Sequence, residues 1–240
     1  MGIIRMGPPH ELILELKQHF GIKIFIEMGT YHGNTAVWAA EHFDKVITTE
    51  MSHSIYQETS QKYHNIANIQ FLFGDSRQLL KEIIPQVAEP AIFWLDSHWS
   101  GGETYGENDE CPLLDELQII NQSPVEHFIL IDDARYFLCP PPEPHHIAAW
   151  PTISEVVTTL GQRYIVIFED VIIAVPVSAT DFVARYHQKR STEDWLAFGK
   201  RQNQNRLAYG FQKMIEGIEI MAGYIYKILK NRVATLVKTL

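Results

Sequence analysis

Two cysteines, Cys111 and Cys139, are all that the 240 residues contain. Thiols so few and so far apart make no disulfide framework, and a reducing, cytoplasmic setting is expected. Long apolar runs are missing too. No window reaches the roughly 18 uncharged apolar residues that a membrane span needs, and residues 1–20 lack the apolar centre of a signal peptide. Positive charge is scarce over most of the chain: residues 1–180 carry 9 Lys and Arg against 24 Asp and Glu, a balance of −15. Residues 181–240 reverse this, with 11 against 5, or +6. The acidic body argues against nucleic acid as a partner. What the chain does have is apolar residues, 46% of the total. That is ample for the core of one α/β domain over 1–180, followed by a basic helical extension over 181–240.

The order of elements is readable from periodicity. Leu12, Ile13, Leu16 and Phe20 recur at helical spacing, and Gly21 provides a stop. Ile24-Phe25-Ile26 has the character of a buried strand. It is followed by Glu27-x-Gly29-x-x-x-Gly33, then a helix from Ala36 to Ala40. Further strands are expected at 46–49, 69–73, 91–95 and 128–131, with helices between them, Ser52 capping the second. Polar, glycine-rich residues 97–110 and proline-rich residues 134–150 read as loops, with a helix at 153–160. Residues 164–168 and 171–175 flank only Glu169-Asp170, a hairpin signal. The expectation is a doubly wound, Rossmann-like sheet of seven strands, mostly parallel, closed by an antiparallel hairpin.

Glu27, Glu50, Asp75, Asp96 and the Asp132-Asp133 pair all fall at the C-terminal ends of predicted strands. In an open α/β sheet that edge is the ligand crevice. A dinucleotide would want G-x-G-x-x-G, so that helix N–H groups meet a pyrophosphate. Here the glycines are four apart, Tyr31 occupies the middle, and Glu27 would repel phosphate. A cationic, phosphate-free ligand suits these acids better, and S-adenosylmethionine, with a sulfonium, an α-amino group and a ribose diol, is such a ligand.

The segment Phe25-Ile-Glu-Met-Gly-Thr-Tyr-His-Gly-Asn-Thr35, with Glu50, Gly74-Asp75-Ser76 and the closing hairpin, resembles the class I S-adenosylmethionine-dependent methyltransferases over about residues 20–177. The resemblance implies that Glu27, Gly29, Thr30, Tyr31 and Gly33 shape the pocket for the methionine end. It implies that Glu50 binds the ribose hydroxyls, and that Asp75 and Ser76 lie beside the adenine, Asp75 accepting from its amino group.

Three carboxylates from adjacent strand ends, Asp96, Asp132 and Asp133, can converge on one hard divalent cation. The pattern is similar to the metal-dependent macrocin-type and novobiocin-type sugar O-methyltransferases. That likeness implies Mg2+ held by Asp96, Asp132 and Asp133, with His98 as general base. A neutral imidazole near its ordinary pKa of about 6.5 can take a proton from an alcohol. The acceptor expected is a hydroxyl of a sugar or other polyhydroxylated small molecule. Two alternatives stand beside this: a metal-independent methyltransferase of the same fold, and a cofactor-binding module without catalysis.

Other residues are read more plainly. Trp94 belongs to a core; Trp99 either stacks on a sugar or anchors its loop; His145-His146 sit in a solvated loop or lid. Glu103, Glu107 and Asp109 keep their loop soluble, and Cys111 has no base spaced to activate it. In the extension, Ile215, Ile218, Met221, Ala222, Ile225, Ile228 and Leu229 recur at helical spacing among lysines. Packing on the body or homodimerisation is the first reading, and peripheral membrane contact the second.

Overall fold

A computed structural model describes residues 7–99, 106, 109–203 and 206–239. It divides into two compact units, Met1–Ala184 and Arg185–Leu240.

The first unit is built on a seven-stranded sheet. In chain order it runs α1 (His10–Phe20), β1 (Ile24–Met28), α2 (Asn34–Ala40), β2 (Lys45–Glu50), α3 (His53–Lys62), β3 (Ile69–Phe73), α4 (Ser76–Ile83) and β4 (Ala91–Leu95). It continues with α5 (Leu113–Ile120), β5 (Phe128–Ile131), α6 (Ile153–Leu160), β6 (Tyr164–Phe168) and β7 (Val171–Val175). The spatial order is β3-β2-β1-β4-β5-β7-β6. Strands β1 to β5 are parallel to one another, and β7 is antiparallel to both β5 and β6. This is the Rossmann-like arrangement expected from the alternation of strands and helices.

The central strands are mostly apolar, Glu27 of β1 excepted, because helices cover both faces of a parallel sheet. Every residue of β1, β4, β5 and β7 is buried, whereas edge strand β3 is only partly so. Trp94 is core, as expected. Gly21 ends α1 in the left-handed conformation, its N–H closing on the Lys17 carbonyl. Thr152 and Glu155 form a capping box on α6. Glu169 and Asp170 both take positive φ in the two-residue turn between β6 and β7, as a type I′ hairpin requires.

Ser52 differs from expectation. It stands before α3, but its side chain makes no cap bond; its backbone N–H donates instead to Glu50 Oε1, at 2.8 Å. Residues 134–150, expected as loop, contain two short 3-10 turns, Ala134–Phe137 and Ile147–Ala149.

From β1 the chain winds outward to β2 and β3, then returns to lay β4 on the other side of β1. The crevice at that reversal, outside the C-terminal strand ends, is where such sheets bind ligands. The second unit comprises most of α7 (Thr180–Asn203) and all of α8 (Arg206–Thr239). Among the described residues, no helix is long and apolar enough to cross a membrane.

Candidate functional site

A cavity of about 380 Å³ opens at the C-terminal sheet edge. Of the residues expected in a site, Gly29, Tyr31, Glu50, Asp75, Ser76, Asp96, His98, Asp132 and Asp133 line it. Glu27, Thr30 and Gly33 do not line it.

The reasons are local. At Gly29 (φ +98°) a Cβ would lie 2.2 Å from the Asp96 carbonyl oxygen, so glycine is required where the end of β1 meets the chain leaving β4. At Gly33 (φ +75°) a Cβ would meet Thr59 Cγ2 at 2.7 Å and the Tyr63 ring at 3.0 Å, so this glycine serves close packing of α3. Chain packs on chain at both glycines, where the sequence reading placed only a ligand. Glu27 is buried, and its Oε2 accepts from the Thr48 hydroxyl at 2.6 Å. Thr48 spends its one proton there, so the Thr30 hydroxyl, 2.6 Å away, donates to Thr48. Burial pushes the Glu27 carboxyl up to about 8; the Thr48 hydrogen bond opposes this and the Asp96 charge adds to it. Burial at the end of β1 thus favours the neutral form of Glu27.

Glu50 is held from both sides. Its Oε2 accepts the Tyr31 N–H at 2.9 Å and its Oε1 the Ser52 N–H. Tyr31 takes φ 46° to present that N–H, and Thr59 braces it by bonding the Tyr31 carbonyl. Each Glu50 oxygen keeps a second lone pair for a ligand hydroxyl. Met51 and Thr49 line the cavity beside it.

Asp75 caps α4 through the Arg77 N–H, at 2.8 Å, and receives the Arg77 guanidinium on both oxygens at 3.0 and 2.6 Å. The Arg77 hydrogen bonds hold its pKa below the usual carboxylate range, although partial burial opposes them. Arg77 also lines the cavity and bonds Asp109 at 2.5 Å, tying down the far end of the loop after β4. Asp109 therefore has a structural partner. Glu103 and Glu107 lie outside the described residues.

On the other side of the cavity the carboxylates face one another. Burial raises Asp132 to about 7, with the charges of Asp96 and Asp133 adding to it; burial likewise raises Asp96 to about 6, opposed chiefly by His98. Asp133 takes φ 55°, and its oxygens are both engaged, Oδ2 with His98 Nε2 at 2.9 Å and Oδ1 with Arg135 at 2.7 Å. Those two cations hold its pKa below the usual range in spite of burial. Arg135 is itself gripped by Asp170 from the β6–β7 turn. His98 was expected near its ordinary pKa. Burial pulls it down, but the hydrogen bond to Asp133 and the charges of Asp96 and Asp132 prevail, and the net shift is upward. Among the described residues, no group of three or more His, Cys, Asp and Glu side chains is gathered to hold a metal ion. Asp96 and Asp132 fit a hard cation by charge and oxygen chemistry; Asp133, committed to His98 and Arg135, does not as it stands.

Behind the cavity the two loops are pinned together by Glu110, which is almost wholly buried. It accepts from the His146 N–H at 2.7 Å, the Trp150 indole at 2.7 Å and His145 at 3.1 Å. Trp99 is buried edge-on against His145, its N–H bonded to the Glu110 carbonyl. It anchors the loop and offers no sugar platform. The His145 ring is partly buried and tied to Glu110, whereas His146 lends only its backbone N–H and keeps its side chain in solvent, as the solvated-loop reading has it. Burial pushes the Cys111 thiol up to about 12, which fits the absence of a nucleophile there.

Sequence reasoning missed Arg77, Arg135 and Glu110. The first two carried a signal, since Asp75-Ser-Arg77 and Asp133-Ala-Arg135 repeat one Asp-x-Arg spacing at two strand ends.

No family model matches the chain, and no curated protein matches it. Solved structures do. A candidate caffeoyl-CoA O-methyltransferase from Staphylococcus aureus is 14% identical with a TM-score of 0.50, covering 72% of this chain and 86% of that one. An O-methyltransferase from Bacillus cereus in complex with SAH is 13% identical with a TM-score of 0.49, covering 70% and 82%. A candidate methyltransferase from Streptococcus mutans, also with SAH, is 16% identical with a TM-score of 0.44, covering 71% and 99%. At such identities the Staphylococcus likeness is one of fold.

Proposed function

We propose that this chain is an S-adenosylmethionine-dependent O-methyltransferase acting on a hydroxyl of a sugar or other polyhydroxylated small molecule. The observation that carries the reading is Glu50: a carboxylate fixed by two backbone N–H groups at the end of β2, with lone pairs left for a ribose diol. Asp75 and Ser76 lie at the next strand end, where the adenine of the same ligand would fall. Among the described residues that line the cavity, the Lys or Arg side chain is that of Arg77, already paired with carboxylates rather than free for a pyrophosphate.

In this reading the acceptor sits between Asp96, Asp132 and His98. Its hydroxyl proton passes to the His98 imidazole as the oxygen attacks the sulfonium methyl. The new O–CH3 bond forms as the S–CH3 bond breaks, and its electron pair stays on sulfur, leaving a neutral thioether. Asp133 steadies the imidazolium so formed. Because His98 is raised, turnover should climb above pH 6.5 as the ring loses its proton.

Mg2+ would be held by Asp96 and Asp132 and would acidify a coordinated hydroxyl. The commitment of Asp133 to His98 and Arg135 favours a second reading, in which the His98–Asp133 pair acts as base without metal. Both are tested by SAH release from a panel of glycosides, with and without chelator. Release with at least one glycoside supports methyl transfer, and its loss in chelator supports the metal. No release from any hydroxyl acceptor would contradict the proposal.

A further inference from the structure

The second unit presents a surface that the proposed chemistry does not use, and the following inference is independent of that chemistry. Helix α8 spans 34 residues, about 50 Å at 1.5 Å per residue. Of the side chains from 211 to 230, only Glu216 is partly buried. Yet Phe211, Ile215, Ile218, Ala222, Ile225 and Leu229 follow one another at alternating intervals of four and three. That is the spacing of a coiled-coil seam, in which a and d positions meet a facing helix. Met214, Met221 and Ile228 flank the seam on one side and are also exposed.

We propose that α8 pairs along this seam with α8 of a second copy of this chain, making the protein a homodimer. Area suffices for such a pair. Eight large apolar side chains, 40–63% exposed, offer on the order of 80–100 Å² each, so a pair removes roughly 1,400 Å², within the range of specific interfaces.

Sedimentation equilibrium on the full chain tests this across roughly 1–100 μM. A dimer is expected. Ile218→Glu with Ile225→Glu should leave a monomer whose thermal stabilisation by SAH matches the parent's. A monomer at every concentration, or a dimer indifferent to the Ile218 and Ile225 changes, would overturn the proposal. So would a monomer in buffer that floats with phosphatidylglycerol vesicles, which would assign the face to a membrane.

Discussion

At the ends of β2 and β3, each carboxylate is held by donors from the chain itself: Glu50 by two backbone N–H groups, Asp75 by Arg77 and its own helix. At the ends of β4 and β5, the same kind of residue is set against itself. Burial raises both Asp96 and Asp132, and neighbouring carboxylate charge adds to it, Asp133 acting on each and Asp96 also on Asp132. One side of the cavity is finished before any ligand arrives. The other carries excess negative charge that a proton, a cation or a substrate hydroxyl can relieve. The difference suits a fixed donor molecule on the first side and chemistry on the second.

The comparison breaks most completely at Gly29, which joins the two sides. A Cβ there would run into the Asp96 backbone, at a φ that L residues rarely adopt. For Gly29→Ala we expect a loss on the order of 3 kcal/mol or more, and a melting temperature lower by roughly 10 °C. Melting like the parent's would show that the β1–β4 approach is looser than described here.

Asp132→Asn should separate the sides. Turnover is expected to fall roughly 100-fold, while affinity for SAH stays within about twofold because no Asp132 atom is needed on the β2–β3 side. Equal losses in both quantities would mean that the two sides act as one.

A smaller effect lies at the end of β1. The folded value of Glu27, about 8, is above its ordinary one, so between those values the folded chain keeps a proton that the unfolded chain has released. Its contribution to stability is complete in acid, below the ordinary carboxyl range, and declines as pH rises toward 8, by on the order of a few kcal/mol. Glu27→Gln should remove that part of the decline in chemical denaturation between pH 5 and 8. An unchanged pH slope would show that Glu27 is not a buried neutral acid.

Much of the fold was legible because its signals are local. The apolar runs of β1, β4 and β5, the Gly21 stop and the Glu169-Asp170 turn each depend on neighbours in the chain. The row of acids at strand ends was legible for the same reason, since strand ends follow from strand runs. Pairings across the fold were not. Ser52 reads as a cap, but its backbone N–H serves Glu50; Gly33 reads as a ligand glycine, but Thr59 and Tyr63 lie against it. Asp133 reads as a third metal ligand until Arg135 and His98 are seen on its two oxygens. The raised His98 likewise depends on carboxylates arriving from a neighbouring strand end. In the extension, the helices and their apolar spacing were readable, but the exposure of the whole seam was not.

The central claim is that the β2–β3 side is a preformed site for S-adenosylmethionine, and calorimetric titration of the purified chain tests it most directly. S-adenosylmethionine and SAH should bind and NAD should not. Glu50→Ala should weaken both by roughly 100-fold or more, the worth of two hydrogen bonds to a charged group, without lowering the folded fraction. Failure of the parent chain to bind either molecule, or binding by Glu50→Ala as tight as the parent's, would contradict it.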